Sequence, residues 1–242
     1  MTLPPQPDPG CAMFLDFDGT LTEIAATPGS VRVAPDLAPT LATLARAVDG
    51  ALAIVTGRAL DDLDRHLQPL RLPASGVHGV ERRGADGVTH RVDVGDLGAA
   101  QAHLQAFAQG DPRLLVEAKP GALALHFRLA PEREAACLLA MRTALALTTG
   151  MTLQPGKMLF ELKPAHVGKG DAVRAFLREP PFCGRRPWFV GDDVTDEAAF
   201  EVVHALGGVA VKVGPGATAA RHRLPDAAAV RRWLRDASLA LA

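Results

Sequence analysis

Apolar and polar positions follow two rhythms along this chain. Short continuous apolar runs at residues 12–15, 51–55, 74–77, 188–190 and 208–213 predict strands buried on both faces. Between them, Leu37, Leu41, Leu44 and Val48 fall at helical spacing before Gly50, and Leu60, Leu63 and Leu67 mark a shorter helix. Further helices are predicted over 169–178, after Glu197, and over 227–239. Strands alternating with helices predict an α/β core, a doubly wound and mostly parallel sheet.

The rhythm changes in the middle. A candidate strand at 88–94 precedes a helix at 97–109. Strands at 114–118 and 122–128 flank Pro120-Gly121, and a helix follows from Pro131 to about residue 149. A second hairpin, 151–154 with 158–163, is expected to turn at Pro155-Gly156. Tight turns make antiparallel strands. The expectation is a smaller α+β cap at 84–164 inserted into a core formed by 1–83 and 165–242.

Composition narrows the class. Apolar residues make up 48% of the 242 positions and the net charge is −1, which favours neither a nucleic-acid nor an anionic-membrane partner. The apolar runs are too short to span a bilayer. Residues 1–10 hold four prolines and no apolar segment, so they read as a disordered lead and not as a signal peptide. Cys11, Cys137 and Cys183 have no metal-like spacing and read as reduced thiols of a cytoplasmic protein.

Three predicted core strands end in reactive groups: Asp16 and Asp18, then Thr56, then Asp192 and Asp193. In open α/β sheets, ligands bind at the carboxyl ends of strands. Carboxylates from two strand ends suit a hard cation such as Mg²⁺. Thr56 offers a hydroxyl, Gly57 permits close approach of an anion, and Lys169 opens a helix between Gly168 and Gly170. These are the parts needed to move a phosphoryl group through a carboxylate. Each also has a plainer reading: a turn at Asp-x-Asp-Gly, helix capping by Asp192, Asp193 or Asp196, and a solvated lysine. Their joint occurrence at successive strand ends favours the chemical one.

In this order, Asp16-Phe17-Asp18-Gly19-Thr20-Leu21, Val55-Thr56-Gly57-Arg58, Gly168-Lys169-Gly170 and Gly191-Asp192-Asp193-Val194-Thr195-Asp196-Glu197 resemble the four motifs of the haloacid dehalogenase superfamily of phosphohydrolases. A finer resemblance, over nearly the whole chain after Cys11, is to the trehalose-6-phosphate phosphatase family. It is carried by residues 76–83, Glu117-Ala118-Lys119, Leu125-His126-Phe127-Arg128 and Phe160-Glu161-Leu162-Lys163-Pro164. The resemblance implies Asp16 as nucleophile and Asp18 as the acid, then base. It implies Mg²⁺ held by the Asp16 carboxylate, the Asp18 carbonyl and Asp192, and phosphate oxygens held by Thr56 and Lys169. Asp193 and Asp196 are expected as outer supports, with direct ligation by Asp193 left open. Glu117, Lys119 and Glu161 are implied as sugar ligands, joined by Arg58 and, more weakly, His78 and Glu81 on the core side. Strand alternation alone puts Glu117 with Lys119, and Glu161 with Lys163, on shared faces; cross-strand pairing is the plainer reading for Lys163. His126 and Arg128 share a face that the sequence does not assign.

The resemblance implies a small-molecule substrate, trehalose 6-phosphate, hydrolysed to trehalose and inorganic phosphate. Phosphatases of sucrose 6-phosphate or of a glycosyl-phosphoglycerate are rivals, a phosphomutase is a more distant one, and a non-catalytic sugar-phosphate sensor is the rival from another class. Oligomeric state is not legible from the sequence.

Overall fold

The computed structural model describes residues 2–25 and 27–241. Strand β1 (Cys11–Leu15) is wholly buried, and removing each of Met13, Phe14 and Leu15 from water contributes about 1.5–3 kcal/mol. The chain continues through α1 (Leu37–Ala47), β2 (Leu52–Val55), α2 (Leu60–Leu67), β3 (Ala74–Gly76), β4 (Glu81–Arg83), β5 (Thr89–Arg91) and α3 (Gly98–Ala108). Next come β6 (Leu115–Lys119), β7 (Ala122–His126), α4 (Glu134–Ala146), β8 (Met151–Gly156) and β9 (Leu159–Pro164). It ends with α5 (Lys169–Phe176), β10 (Arg186–Gly191), α6 (Glu197–Ala205), β11 (Val209–Val213), β12 (His222–Leu224) and α7 (Ala227–Leu241).

Eight strands form one sheet in the order β12-β11-β10-β1-β2-β3-β4-β5. From β12 to β3 every pairing is parallel, and β4 turns back antiparallel on β3. This is the mostly parallel α/β core that the sequence pattern predicts, with β1 near the middle of the sheet. Phe14, Phe176 and Phe182 pack ring to ring beneath β1, with centroids 5.0–5.9 Å apart.

The second sheet is antiparallel, in the order β6-β7-β9-β8. Leu123, Leu125, Phe160 and Leu162 share a core with Leu104 of α3 and Cys137 and Met141 of α4. Thus one sheet face is covered by helices and the alternate residues point to the other. The chain divides into compact units Met1–His90 with Gly168–Ala242, and Arg91–Val167. The sequence pattern set the first division seven residues earlier because it read the strand at 88–94 with the insertion; β5 instead extends the large sheet beside β4, and the larger unit runs on to His90.

Two expectations change. Pro155 and Gly156 lie inside β8, and the turn falls at Lys157 and Met158, where Met158 takes φ +65°. Proline is tolerated there because β8 is an edge strand. The leading segment is ordered from residue 2: Thr2 bridges to His222 and Trp233 donates to the Pro5 carbonyl at 3.2 Å. Met1 lies outside the described residues. Finally, α7 fastens the loop that leaves β1, with Arg231 donating to the Leu21 carbonyl and to Glu23, and Arg235 to Asp36. No helix among the described residues is long and apolar enough to cross a membrane.

Candidate functional site

Asp16 is the first residue beyond β1, and its N–H continues the ladder to the Val190 carbonyl. Its carboxylate is buried: Oδ1 accepts from Lys169 Nζ at 2.7 Å and Oδ2 from the Thr20 hydroxyl at 3.1 Å. Lys169, at the first turn of α5, also donates to Asp196 Oδ1 at 2.6 Å. Asp192 is the first residue beyond β10 and lies 3.5 Å from the Thr20 hydroxyl. One carboxylate oxygen from each of Asp16, Asp192 and Asp196 can be chosen so that all lie within 4.8 Å of one another.

Crowding these anions has a price in protonation. Burial, reinforced by Asp196 and Asp192, pushes the Asp16 carboxyl well above its usual range, with Lys169 opposing. Burial alone would lower the Lys169 ammonium; Asp16 and Asp196 outweigh it and hold the ammonium charged. Three buried carboxylates against the Lys169 ammonium form an oxygen-rich, anionic cluster, the donor set a hard divalent cation takes.

Gly19 explains how the cluster closes. Its φ is +84°, and a Cβ there would stand 2.2 Å from Asp192 Oδ2, so only glycine lets this turn press against that carboxylate. Asp193 faces elsewhere. Its carboxylate accepts from the Val194 N–H at 2.8 Å, while Asp196 Oδ2 takes the Asp193 N–H at 2.9 Å. This capping box makes Asp193 a cap of the 3₁₀ turn before α6 and leaves it out of the carboxylate cluster.

The Asp18 carboxylate is held by Arg58, through Nε at 2.7 Å and Nη2 at 2.8 Å. Arg58 in turn reaches Asp62, lies 3.1 Å from His66 Nε2, and stacks over the Phe17 ring. The guanidinium expected to meet sugar is therefore committed to Asp18 and Asp62 in this structure. Leu15 pairs with Ile54, so Asp16 and Thr56 leave neighbouring strands at the same carboxyl edge. The Thr56 hydroxyl accepts from the Arg58 N–H at 3.1 Å.

His78 and Val77 both adopt left-handed backbone, φ +52° and +47°, unusual for a β-branched valine. Their N–H groups bond to the Thr56 and Arg58 carbonyls, and the His78 ring packs so closely on Gly57 that a Cβ there would lie 2.6 Å from Nε2. Glu81 is buried and accepts the Leu60 N–H at 3.0 Å, which caps α2, whose own N-cap residue Ala59 offers no acceptor.

In the smaller sheet, Glu117 lies opposite Ala124, and Ala124 opposite Glu161. Lys119 Nζ bonds Glu161 at 2.9 Å and lies 3.9 Å from Glu117, which also pairs with His126 Nε2 at 2.8 Å. Burial opposes ionisation of Glu117, yet His126 and Lys119 hold its carboxyl below the usual range. His126 therefore belongs to the same polar face as Glu117, Lys119 and Glu161. Arg128 lies beyond β7 and donates to the Lys157 carbonyl. Lys163 donates to the Val167 carbonyl.

Sequence reasoning passed over two residues of the acidic site. Thr20 bridges Asp16 and Asp192 from within the first motif. Lys212, buried in β11, donates to the Asp192 backbone carbonyl; a lysine inside Val209-Ala210-Val211-Lys212-Val213 was the available signal.

The fold is shared with a phosphatase of the haloalkanoate superfamily from Bacteroides thetaiotaomicron (TM-score 0.63, 15% identity, 99% of each chain). Sheet, insertion and strand-end carboxylates thus share the haloacid dehalogenase fold. The profile of the trehalose-phosphatase family matches residues 14–227. The chain is 44% identical to the trehalose-6-phosphate phosphatase of Escherichia coli K12, over 95% of this chain and 87% of that one. It is also 44% identical to a probable trehalose-phosphate phosphatase of Sinorhizobium fredii, over 91% and 84%. The C-terminal domain of the Candida albicans trehalose-6-phosphate phosphatase superposes with TM-score 0.81 at 22% identity, over 95% and 92%. The chain belongs to the trehalose-phosphatase family.

Proposed function

We propose that this chain hydrolyses trehalose 6-phosphate to trehalose and inorganic phosphate, as a Mg²⁺-dependent phosphoric monoester hydrolase of the cytoplasm. The observation that carries the reading is the buried Asp16 carboxylate at the carboxyl end of the central strand, held by Lys169 and Thr20 beside Asp192.

An Asp16 carboxylate oxygen attacks phosphorus as the bond to the sugar oxygen breaks, giving an aspartyl-phosphate. Lys169 and Thr56 bind the phosphate oxygens. Asp18 gives the leaving sugar oxygen its proton, then takes one from the water that cleaves the aspartyl-phosphate. Both edges of the Asp18 carboxylate are engaged by Arg58, so this proton transfer requires the fork to open. Asp16, Asp192 and the Asp18 carbonyl would hold Mg²⁺, with Asp196 anchoring Lys169. When bound, the cation supplies charge neutralisation between two anions that must meet. The face carrying Glu117, Lys119, His126 and Glu161 is the sugar-recognising surface, its paired charges matching hydroxyl groups that both donate and accept.

A panel of sugar phosphates assayed for phosphate release tests the substrate. Preference for trehalose 6-phosphate over sucrose 6-phosphate and glycosyl-phosphoglycerate is expected, and faster release from another sugar overturns the assignment. Asp16→Asn is expected to abolish turnover with the fold intact.

A further inference from the structure

We infer that Lys212 is a positioning residue for the phosphoryl-transfer site, acting through Asp192. Lys212 is 4% exposed, in a strand whose five residues are all buried. An ammonium so placed is strongly penalised unless paired, and an apolar side chain would serve a core strand better. Its position accounts for the exception. Lys212 pairs with Gly191 in the parallel register, which sets it beside the last residue of β10. There its Nζ donates to the carbonyl of Asp192, the residue that leaves the strand.

The side chain and the carbonyl of Asp192 share one Cα. Fixing the carbonyl from β11 removes a backbone freedom that would swing the carboxylate away from Asp16 and Thr20. Gly19 closes the same residue from the opposite motif: its turn leaves no room for a methyl group beside Oδ2. Asp192 is thus fixed at its backbone by Lys212 and hemmed at its carboxylate by Gly19.

This inference rests on the proposed reading of Asp192 as a cation ligand, and the test separates the two. Mg²⁺ alone is titrated calorimetrically into folded, metal-stripped protein, with the fold checked by circular dichroism. Lys212→Met is expected to weaken Mg²⁺ binding by about 10- to 100-fold, the usual effect of losing a group that orients a ligand. On an Asp192→Asn background the same change is expected to alter the affinity less than about twofold, since residues acting through one contact are not additive. Lys212→Arg, which keeps donor and charge, should recover most of the lost affinity. If Lys212→Met yields no folded protein, Lys212→Gln replaces it with the same expectation. Wild-type affinity in the neutral variants, or an undiminished effect on the Asp192→Asn background, overturns the inference. Failure of Asp192→Asn itself to weaken Mg²⁺ binding overturns instead the reading of Asp192 as a ligand.

Discussion

Gly19→Ala adds one methyl group and should separate activity from stability. The new Cβ would lie 2.2 Å from Asp192 Oδ2 and 2.4 Å from Cγ, at a φ of +84°. An alanine in left-handed backbone costs about 1–2 kcal/mol, and the stiffer unfolded chain returns about 0.4–1 kcal/mol. The net loss of about 1 kcal/mol corresponds to a fall in Tm of roughly 2–4 °C for a chain of this length. The carboxylate must retreat by about 1 Å to reach ordinary contact, and a misplacement of that size in an active site costs about 100-fold in rate. Phosphate release from trehalose 6-phosphate at saturating Mg²⁺, beside a thermal melt, reads both quantities. Turnover within threefold of wild type would refute the contact as a determinant of the site. A melt lowered by much more than the strain predicts would show that the turn supports the fold and not the carboxylate.

Glu161→Gln removes the negative partner of Lys119 on the proposed sugar face. Its kcat/KM should fall about 10- to 100-fold for trehalose 6-phosphate and stay within threefold for a small aryl phosphate; equal losses on both substrates would count against sugar recognition. Glu81→Ala leaves the buried Leu60 N–H without its acceptor and should lower unfolding free energy by about 2 kcal/mol in urea, against the half-kilocalorie or less expected of an exposed rim residue. For Asp62, burial opposes ionisation but Arg58 prevails and holds the carboxyl below its usual range. The folded chain therefore binds fewer protons there than the unfolded one, so this stability is present above about pH 4 and lost as pH falls through the lowered value. Asp62→Asn should flatten the acid limb of Tm against pH, and an unchanged slope would argue that the Arg58 contact adds nothing.

Much of this was legible in the chain because it is local. Runs such as Leu52–Val55 are apolar on both faces, and Asp16, Thr56 and Asp192 follow such runs directly. What escaped depends on distant partners. β4 reads as Glu81-Arg82-Arg83, yet it is a sheet strand because Arg83 is matched by Asp64 and the Leu72 carbonyl, Arg82 by Glu179, and Glu81 by α2. β12 is three residues long, two of them polar, and it is joined at its outer edge by Thr2. Arg58 looked available for substrate because nothing near it in sequence announces Asp18, forty positions earlier. Lys212 was overlooked because a strand pattern treats one charge among valines as noise.

The central place of β1 carries a consequence for how the protein is made. The strand that leads to Asp16 leaves the ribosome well before its neighbour β10 and the helix α7 that fastens its loop. The smaller sheet, built from hairpins and near neighbours, can settle during that wait. Asp16 thus emerges early and stays without Asp192, Lys169 and Lys212 until most of the chain exists. A nascent chain stalled before residue 186 should hold an organised insertion and an inert nucleophile, so activity arrives as a late and all-or-none event of synthesis.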